Sequence, residues 1–298
     1  MIVRVLVAGG EGQLGREFPA LAETNMQIVC LGRTELNICD VASIRRAVQQ
    51  RAPTAIINAA AYTAVDRAES EGSKAFSINA QGVANLAQVA QETGIALLHV
   101  SSDYVFSGEK PIGEAYTETD ICEPRTVYGR SKREGECLAL ALCDKTIVLR
   151  TSWVFGRYGA NFPKTMLRLA RERPEIQVVA DQWGCPTYAT DIAKTLLLAA
   201  TALQKGALAA GIYHYAGAPA CTWFDLASAV LTQAAKHGHT LPTLTAINSK
   251  DYPTAAPRPA NSVLNCDKLN HALGLAPTNW QAGLAPVIQA VNGAVPPI

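Results

Sequence analysis

The 298-residue chain is 49% hydrophobic and 17% charged, which places it among ordinary globular proteins and excludes disordered and fibrous ones. Its 26 basic and 25 acidic residues give a formal net charge of +1, and no long run of either sign offers a footprint for nucleic acid or anionic lipid. A chain of this length buries a sizeable core, as one large α/β domain or as a dinucleotide-binding domain with a smaller partner.

The first strand is predicted over residues 2–8. It starts directly after the initiator methionine and leaves no room for a cleavable leader, so a cytoplasmic location is expected. The strand runs into Gly9-Gly10-Glu11-Gly12-Gln13-Leu14-Gly15 and then a helix. Glycines at a three-residue spacing allow positive φ in a tight turn, let backbone N–H groups approach a pyrophosphate at the helix N-terminus, and permit close packing of helix on strand. Three glycines alone also fit an ordinary strand-to-helix turn. The setting between strand and helix favours a dinucleotide site built on Gly9, Gly10, Gly12, Gln13, Leu14 and Gly15. Pro19 would cost about 3 kcal/mol inside a helix, so the first helix is expected to be short or kinked.

After a second strand over residues 27–31 the chain reads Leu31-Gly32-Arg33-Thr34. An acid at this point takes the ribose hydroxyls of NADH, whereas an arginine pairs with a 2′-phosphate. With Gly32 where the acid is expected and Arg33 beside it, NADPH is favoured and use of NADH stays open. Asp40 and Val41 are placed to meet the adenine edge where a helix over residues 41–51 begins. Further strands over residues 55–58, 96–101 and 146–150 alternate with helices such as residues 82–92. These runs are hydrophobic throughout, as in strands covered on both faces, and they predict an α/β fold with a Rossmann-like, doubly wound parallel sheet.

Residues 128–132, Tyr128-Gly129-Arg130-Ser131-Lys132, carry the strongest catalytic signal. A spacing of four puts Tyr128 and Lys132 on one helix face, where an ammonium would lower the phenol pKa from its usual value near 10 and make Tyr128 a usable proton donor to a carbonyl. Ser102, at the carboxyl end of the strand before, is placed to supply a third hydrogen bond. From residue 161 the rhythm becomes less regular, with helices over residues 162–173, 188–203 and 223–236 and a Pro-rich loop over residues 252–259. Residues 1–160 are read as the cofactor domain with the catalytic pair. Residues 161–298 are read as mainly a smaller substrate-binding α/β lobe, the chain being free to cross back. The most apolar helical stretch, residues 196–203, is far shorter than the roughly 20 residues that cross a bilayer. The eight cysteines form no C-x-x-C pair and read as thiols of a reducing compartment. His237 and His239 lack a third ligand nearby, so no metal site is expected there.

Taken together, the glycine motif, Asn58-Ala59-Ala60-Ala61, Ser101-Ser102-Asp103-Tyr104-Val105-Phe106, Tyr128 with Lys132, and Arg150-Thr151-Ser152-Trp153-Val154-Phe155-Gly156 resemble the extended short-chain dehydrogenase/reductases. More narrowly the chain is similar to the dTDP-4-dehydrorhamnose reductases, and the likeness continues through Asn161-Phe162, residues 181–187 and residues 258–262. The resemblance implies NADPH-linked reduction of the 4-keto group of a dTDP-linked 6-deoxyhexulose to dTDP-L-rhamnose, used for cell-surface polysaccharide. It implies that Tyr128 gives the proton, that Lys132 tunes it and holds the nicotinamide ribose, and that Ser102, where threonine is common in the family, orients the keto oxygen. Ala59, Ala60, Ala61 and Val100 would line the cofactor, Asp103 and Trp153 would touch the sugar, and Arg258 would pair with the diphosphate. Some members form dimers around a divalent cation. Glu17 matches one of the carboxylates involved, but Thr190 and Ala290 stand where the others align, so no interfacial metal and a monomer or weak homodimer are expected.

Three alternatives stand beside this reading. Related dehydratases carry a Thr-Asp-Glu run, and Tyr104 in the third position disfavours dehydration. A reductase of another nucleotide-linked 4-keto-6-deoxysugar would use the same residues. A non-catalytic NADP-binding regulatory subunit of an adenosylmethionine synthetase is disfavoured by the intact Ser102, Tyr128 and Lys132.

Overall fold

The computed structural model describes residues 3–24, 26–236 and 241–293. Its strands are β1 (Val3–Ala8), β2 (Met26–Leu31), β3 (Ala55–Asn58), β4 (Ala96–Ser102), β5 (Thr146–Thr151), β6 (Glu175–Val179), β7 (Gly211–His214) and β8 (Thr243–Ile247), with several two-residue pairs besides. The principal helices are α1 (Val41–Arg51), α2 (Gly82–Thr93), α3 (Val127–Leu142), α4 (Phe162–Glu172), α5 (Ala189–Gln204), α6 (Trp223–Ala235), α7 (Asp267–Leu273) and α8 (Leu284–Gly293). Six strands form one parallel sheet in the order β7, β5, β4, β3, β1, β2. The topological switch between β1 and β3 opens the crevice at the carboxyl ends where ligands bind in such folds.

Period-two alternation sorts the strand residues between two helical layers. Leu6, Ile56 and Leu97 pack on Ile44 and Val48 of α1 and on Val83, Leu86 and Val89 of α2. Val5, Val7, Ile57, Leu98 and Leu149 face the other way, onto Ile192, Leu196 and Leu197 of α5. Each fully buried aliphatic side chain of this kind contributes about 1.5–3 kcal/mol, which explains why these strands read as unbroken apolar runs. The segment after β1 forms a 3-10 helix, Gly15–Leu21, with Pro19 inside it, in keeping with the short helix expected from that proline.

A second core lies over the two-stranded ribbon of β6 and β8, where Met166 and Leu167 of α4, Leu226 and Val230 of α6, and Val287 and Ile288 of α8 meet Ile176 and Val178. The chain does not stay there: α5 and β7 return to complete the large sheet, and Leu269 of α7 joins its core. Among the described residues no helix is long and apolar enough to cross a membrane. All eight cysteines are unpaired. His237 and His239 lie outside the described residues.

Candidate active site

The glycine loop is seated by close backbone packing. Gly9 adopts φ +83°, and a Cβ there would come within 2.7 Å of the Ala60 nitrogen, so only glycine lets the loop rest on Ala59 and Ala60. The Gly10 N–H donates to the Leu31 carbonyl (2.8 Å) and that of Gly12 to the Gly9 carbonyl (3.0 Å). The N–H groups of Gln13 and Leu14 have no acceptor among the described residues and are available to a phosphate. The helix that follows is a single short 3-10 helix, so the cradle depends on loop N–H groups more than on a helix dipole. Gln13 also ties the loop to the segment after β5 through Nε2, which donates to the Val154 carbonyl (2.9 Å). Arg33 is exposed at the end of β2 with no ion-pair partner among the described residues, and Asp40 caps α1 by accepting from the Ala42 N–H (2.9 Å). This loop, the two alanines and the free guanidinium fit a phosphorylated dinucleotide.

Ser102, Tyr128 and Lys132, the expected catalytic residues, converge at the end of β4, two strands from β1 in the sheet. Thr126 caps α3 through the Gly129 N–H (2.9 Å), which fixes the first turn and buries Tyr128. A side chain at Gly129 would meet the Tyr104 carbonyl at 2.2 Å, so this glycine lets the segment after β4 close onto α3. Tyr104 then packs edge-on against the Tyr128 ring, with centroids 5.5 Å apart. Ser102 ends β4; its Oγ accepts from the Tyr104 N–H (3.2 Å) and donates to Asp103 Oδ1 (2.8 Å). Asp103 Oδ2 is buried without a hydrogen-bond partner, and burial pushes this carboxyl up to about 6, partly offset by Ser102. A buried acceptor left open beside Ser102 is suited to a substrate hydroxyl.

One expectation needs correction. Tyr128 is pushed up to about 12, because burial outweighs the lowering effect of the Ser102 hydroxyl. Lys132 does not hydrogen-bond to the phenol; its Nζ lies 2.7 Å from the Val100 carbonyl and 3.2 Å from His99 Nε2. The phenol therefore holds its proton at neutral pH, which is the form an acid catalyst needs. A nearby ammonium would matter only as negative charge develops on the oxygen.

His99 is unmarked in the sequence and Asn58 appears there only within a motif, yet both shape the surroundings of Lys132. The Ala60 N–H donates to Asn58 Oδ1 (3.1 Å), so the amide Nδ2 must face His99 Nδ1, 3.1 Å away. Nδ1 is then the acceptor and the neutral ring carries its proton on Nε2, a donor that only the amine form of Lys132 can accept; the ammonium form is held by the Val100 carbonyl instead. Burial, with help from the Lys132 charge, drives the His99 pKa well below its usual value. Burial also lowers Lys132 to about 8, close to the border between ammonium and amine. The signal in the sequence was a histidine inside the otherwise apolar run Ala-Leu-Leu-His-Val.

Beside Tyr104 a cleft of about 410 Å³ is lined by Phe106, Gly108, Arg125, Pro257 and Arg258. Asp66 fastens the Pro-rich loop to the cofactor domain, accepting from the Ala256 N–H (3.1 Å) and from Arg258 (2.5 Å). Arg258 thus reaches the cleft already oriented, through a residue that no motif marked. Trp153 does not line this cleft. It has φ +45° and stacks on Trp223 with centroids 3.5 Å apart, at the edge of the second core. Glu17 is fully buried, with Oε2 accepting from Arg157 (2.6 Å) and Thr190 (2.8 Å), and Ala290 lies on α8. Among the described residues no three His, Cys, Asp or Glu side chains are grouped to hold a metal.

The family model described as RmlD substrate binding domain matches residues 3–292. The dTDP-4-dehydrorhamnose reductase of Aggregatibacter actinomycetemcomitans is 46% identical, covering 95% of this chain and 97% of its own. That of Sinorhizobium fredii is 39% identical over 97% and 98%. Among solved structures, the Bacillus anthracis dTDP-4-dehydrorhamnose reductase in complex with NADP superposes with a TM-score of 0.88 at 35% identity, covering 96% of this chain and 98% of that one. Likeness of this extent, over a sheet whose carboxyl edge brings Ser102, Tyr128 and Lys132 together, means that the chain belongs to the dTDP-4-dehydrorhamnose reductase family.

Proposed function

We propose that the protein reduces the 4-keto group of dTDP-4-dehydro-L-rhamnose to dTDP-L-rhamnose with NADPH. The observation that carries this reading is the buried cluster of Ser102, Tyr128 and Lys132 between the glycine loop and an arginine-bearing cleft. When bound, the nicotinamide supplies the hydride. Tyr128 gives its phenolic proton to the keto oxygen, so the carbonyl gains one hydride at carbon and one proton at oxygen. Ser102 turns its one hydroxyl proton from Asp103 Oδ1 to the same oxygen, and Lys132 stabilises the phenolate left behind while holding the ribose. Asp103 accepts a sugar hydroxyl through its open Oδ2.

Substrate-dependent loss of NADPH absorbance, with dTDP-L-rhamnose identified as product, tests the reading; a partner-dependent protein without turnover of its own would contradict it. Arg33→Ala is expected to reduce the preference for NADPH over NADH by roughly ten- to hundredfold, the worth of one charged hydrogen bond. The ratio of kcat/KM for the two donors reads this directly, and an unchanged ratio rules Arg33 out. Arg258→Ala should raise KM for the dTDP-sugar by a similar factor, roughly tenfold or more, with kcat nearly constant, since the diphosphate does not react. A fall in kcat at unchanged KM would exclude that role.

The unpaired thiols support a reducing cytoplasmic location. Capture of Glu17 by Arg157 within the chain supports the absence of an interfacial metal at that carboxylate; a monomer or weak homodimer is proposed with it.

A further inference from the structure

We propose that Glu11, the acidic residue inside the glycine loop, sets how strongly the protein discriminates between phosphorylated and unphosphorylated nicotinamide dinucleotides. The proposal rests on the cofactor reading above and concerns a residue which that reading leaves without a role. The hydrogen bond from the Gly10 N–H to the Leu31 carbonyl lashes the loop to the carboxyl end of β2. This brings the Glu11 side chain onto Gly32. A Cβ built on Gly32 would lie 2.4 Å from the carboxyl carbon of Glu11 and 2.7 Å from each of its oxygens. The Glu11 carboxylate therefore fills the space where a side chain at position 32 would begin.

Position 32 directly follows β2 and is where an acid that takes the ribose diol would stand. In this chain the strand end has lost the side chain, and the loop supplies a carboxylate to the same place. The Gly32 N–H is itself held by Glu35 Oε2 (3.2 Å), so a second carboxylate borders the site. Arg33, one residue on, is exposed and pairs with neither among the described residues. The strand end thus offers anionic and cationic groups together, where strict selection would need one sign alone.

The two signs act in opposition on the adenosine ribose. A 2′-phosphate carries nearly two negative charges at neutral pH, which attracts Arg33 and repels Glu11. An unphosphorylated ribose offers two hydroxyl donors, for which a carboxylate is the better acceptor. Arg33 raises affinity for the phosphorylated dinucleotide; Glu11 lowers it and raises affinity for the unphosphorylated one. The protein accordingly works with both donors, its preference being less than Arg33 alone would impose.

Isothermal titration of the whole protein with NADP+ and with NAD+ tests this without recourse to turnover. Glu11 is exposed, so its replacement leaves the core intact. In Glu11→Ala the ratio of the NAD+ to the NADP+ dissociation constant is expected to rise roughly tenfold, while Arg33→Ala moves it the other way. Glu11→Gln removes the charge but keeps an acceptor, so NADP+ should tighten with NAD+ affinity falling less than in the alanine variant. An unchanged ratio in Glu11→Ala, with dinucleotide binding intact, overturns the role of Glu11 and leaves the cofactor reading standing. Failure of the unmutated protein to bind either dinucleotide overturns both.

Discussion

Phenylalanine in place of Tyr128 is expected to lower kcat by about 10²- to 10⁴-fold, the usual worth of a positioned general acid. The ring keeps its volume and its edge contact with Tyr104, so the fold and dinucleotide affinity should be nearly unchanged. One feature makes the loss this large: the phenol sits in a buried pocket where water is poorly placed to substitute as acid. Single-turnover reduction of the dTDP-ketosugar separates this effect from binding, and a variant that reduces at the unmutated rate would show that another group is the acid. Ser102→Ala should cost far less, since one neutral hydrogen bond is worth about 1 kcal/mol.

The second large effect is on stability. Glu136 of α3 is fully buried and accepts two hydrogen bonds from Arg150 of β5, Nε and Nη2 each at 2.8 Å, and a third from Arg133 at 2.8 Å. Removing one member of a buried ion pair strands the other without solvent, at about 3–5 kcal/mol, and Glu136→Ala should lose that much in urea unfolding. Arg150 has no comparable replacement: its other neighbours are the Cys122 thiol, the Phe106 ring and His214, which burial and the arginine charge drive down to about 4. Burial raises the Glu136 pKa, but the hydrogen bonds and charge of Arg150 outweigh it and hold the carboxyl below its ordinary value. With a folded pKa that is depressed, the pair's contribution is present above the ordinary glutamate pKa and is lost as pH falls through the folded one. A loss under about 1 kcal/mol in the alanine variant would mean that the pair only offsets its own desolvation.

What could be read from the sequence follows from how local each signal is. The strands with both faces buried show as unbroken apolar runs, and the observed bounds of β3 and α1 match the predicted ones. Tyr128 and Lys132 share one helix, so spacing alone pairs them. Asp66 and Arg258 are 192 residues apart and meet through a loop without periodicity, which leaves no trace in either segment. His99 was visible as an odd residue in a strand, but its task depends on which way the Asn58 amide faces, and that is decided by the Ala60 N–H. Tyr128 ionisation was misjudged because spacing reports the distance along a helix, while the pKa follows the burial created by residues from β4 and the loop after it.

The place of β7 in the sheet also bears on how the chain is made. Its hydrogen bonds to β5 and the α5 cover over Leu98 and Leu149 come from residues well past 160. During synthesis the nascent chain must emerge beyond His214 before the nucleotide-binding half has a closed core, with much of the second lobe already outside the ribosome. Parallel pairings over such sequence separations close slowly. Until then, the apolar face later covered by α5 stays open to water, so a fragment ending near residue 160 would be poorly suited as a transplantable cofactor module, and the two halves would be gained or lost together in any rearrangement of the gene.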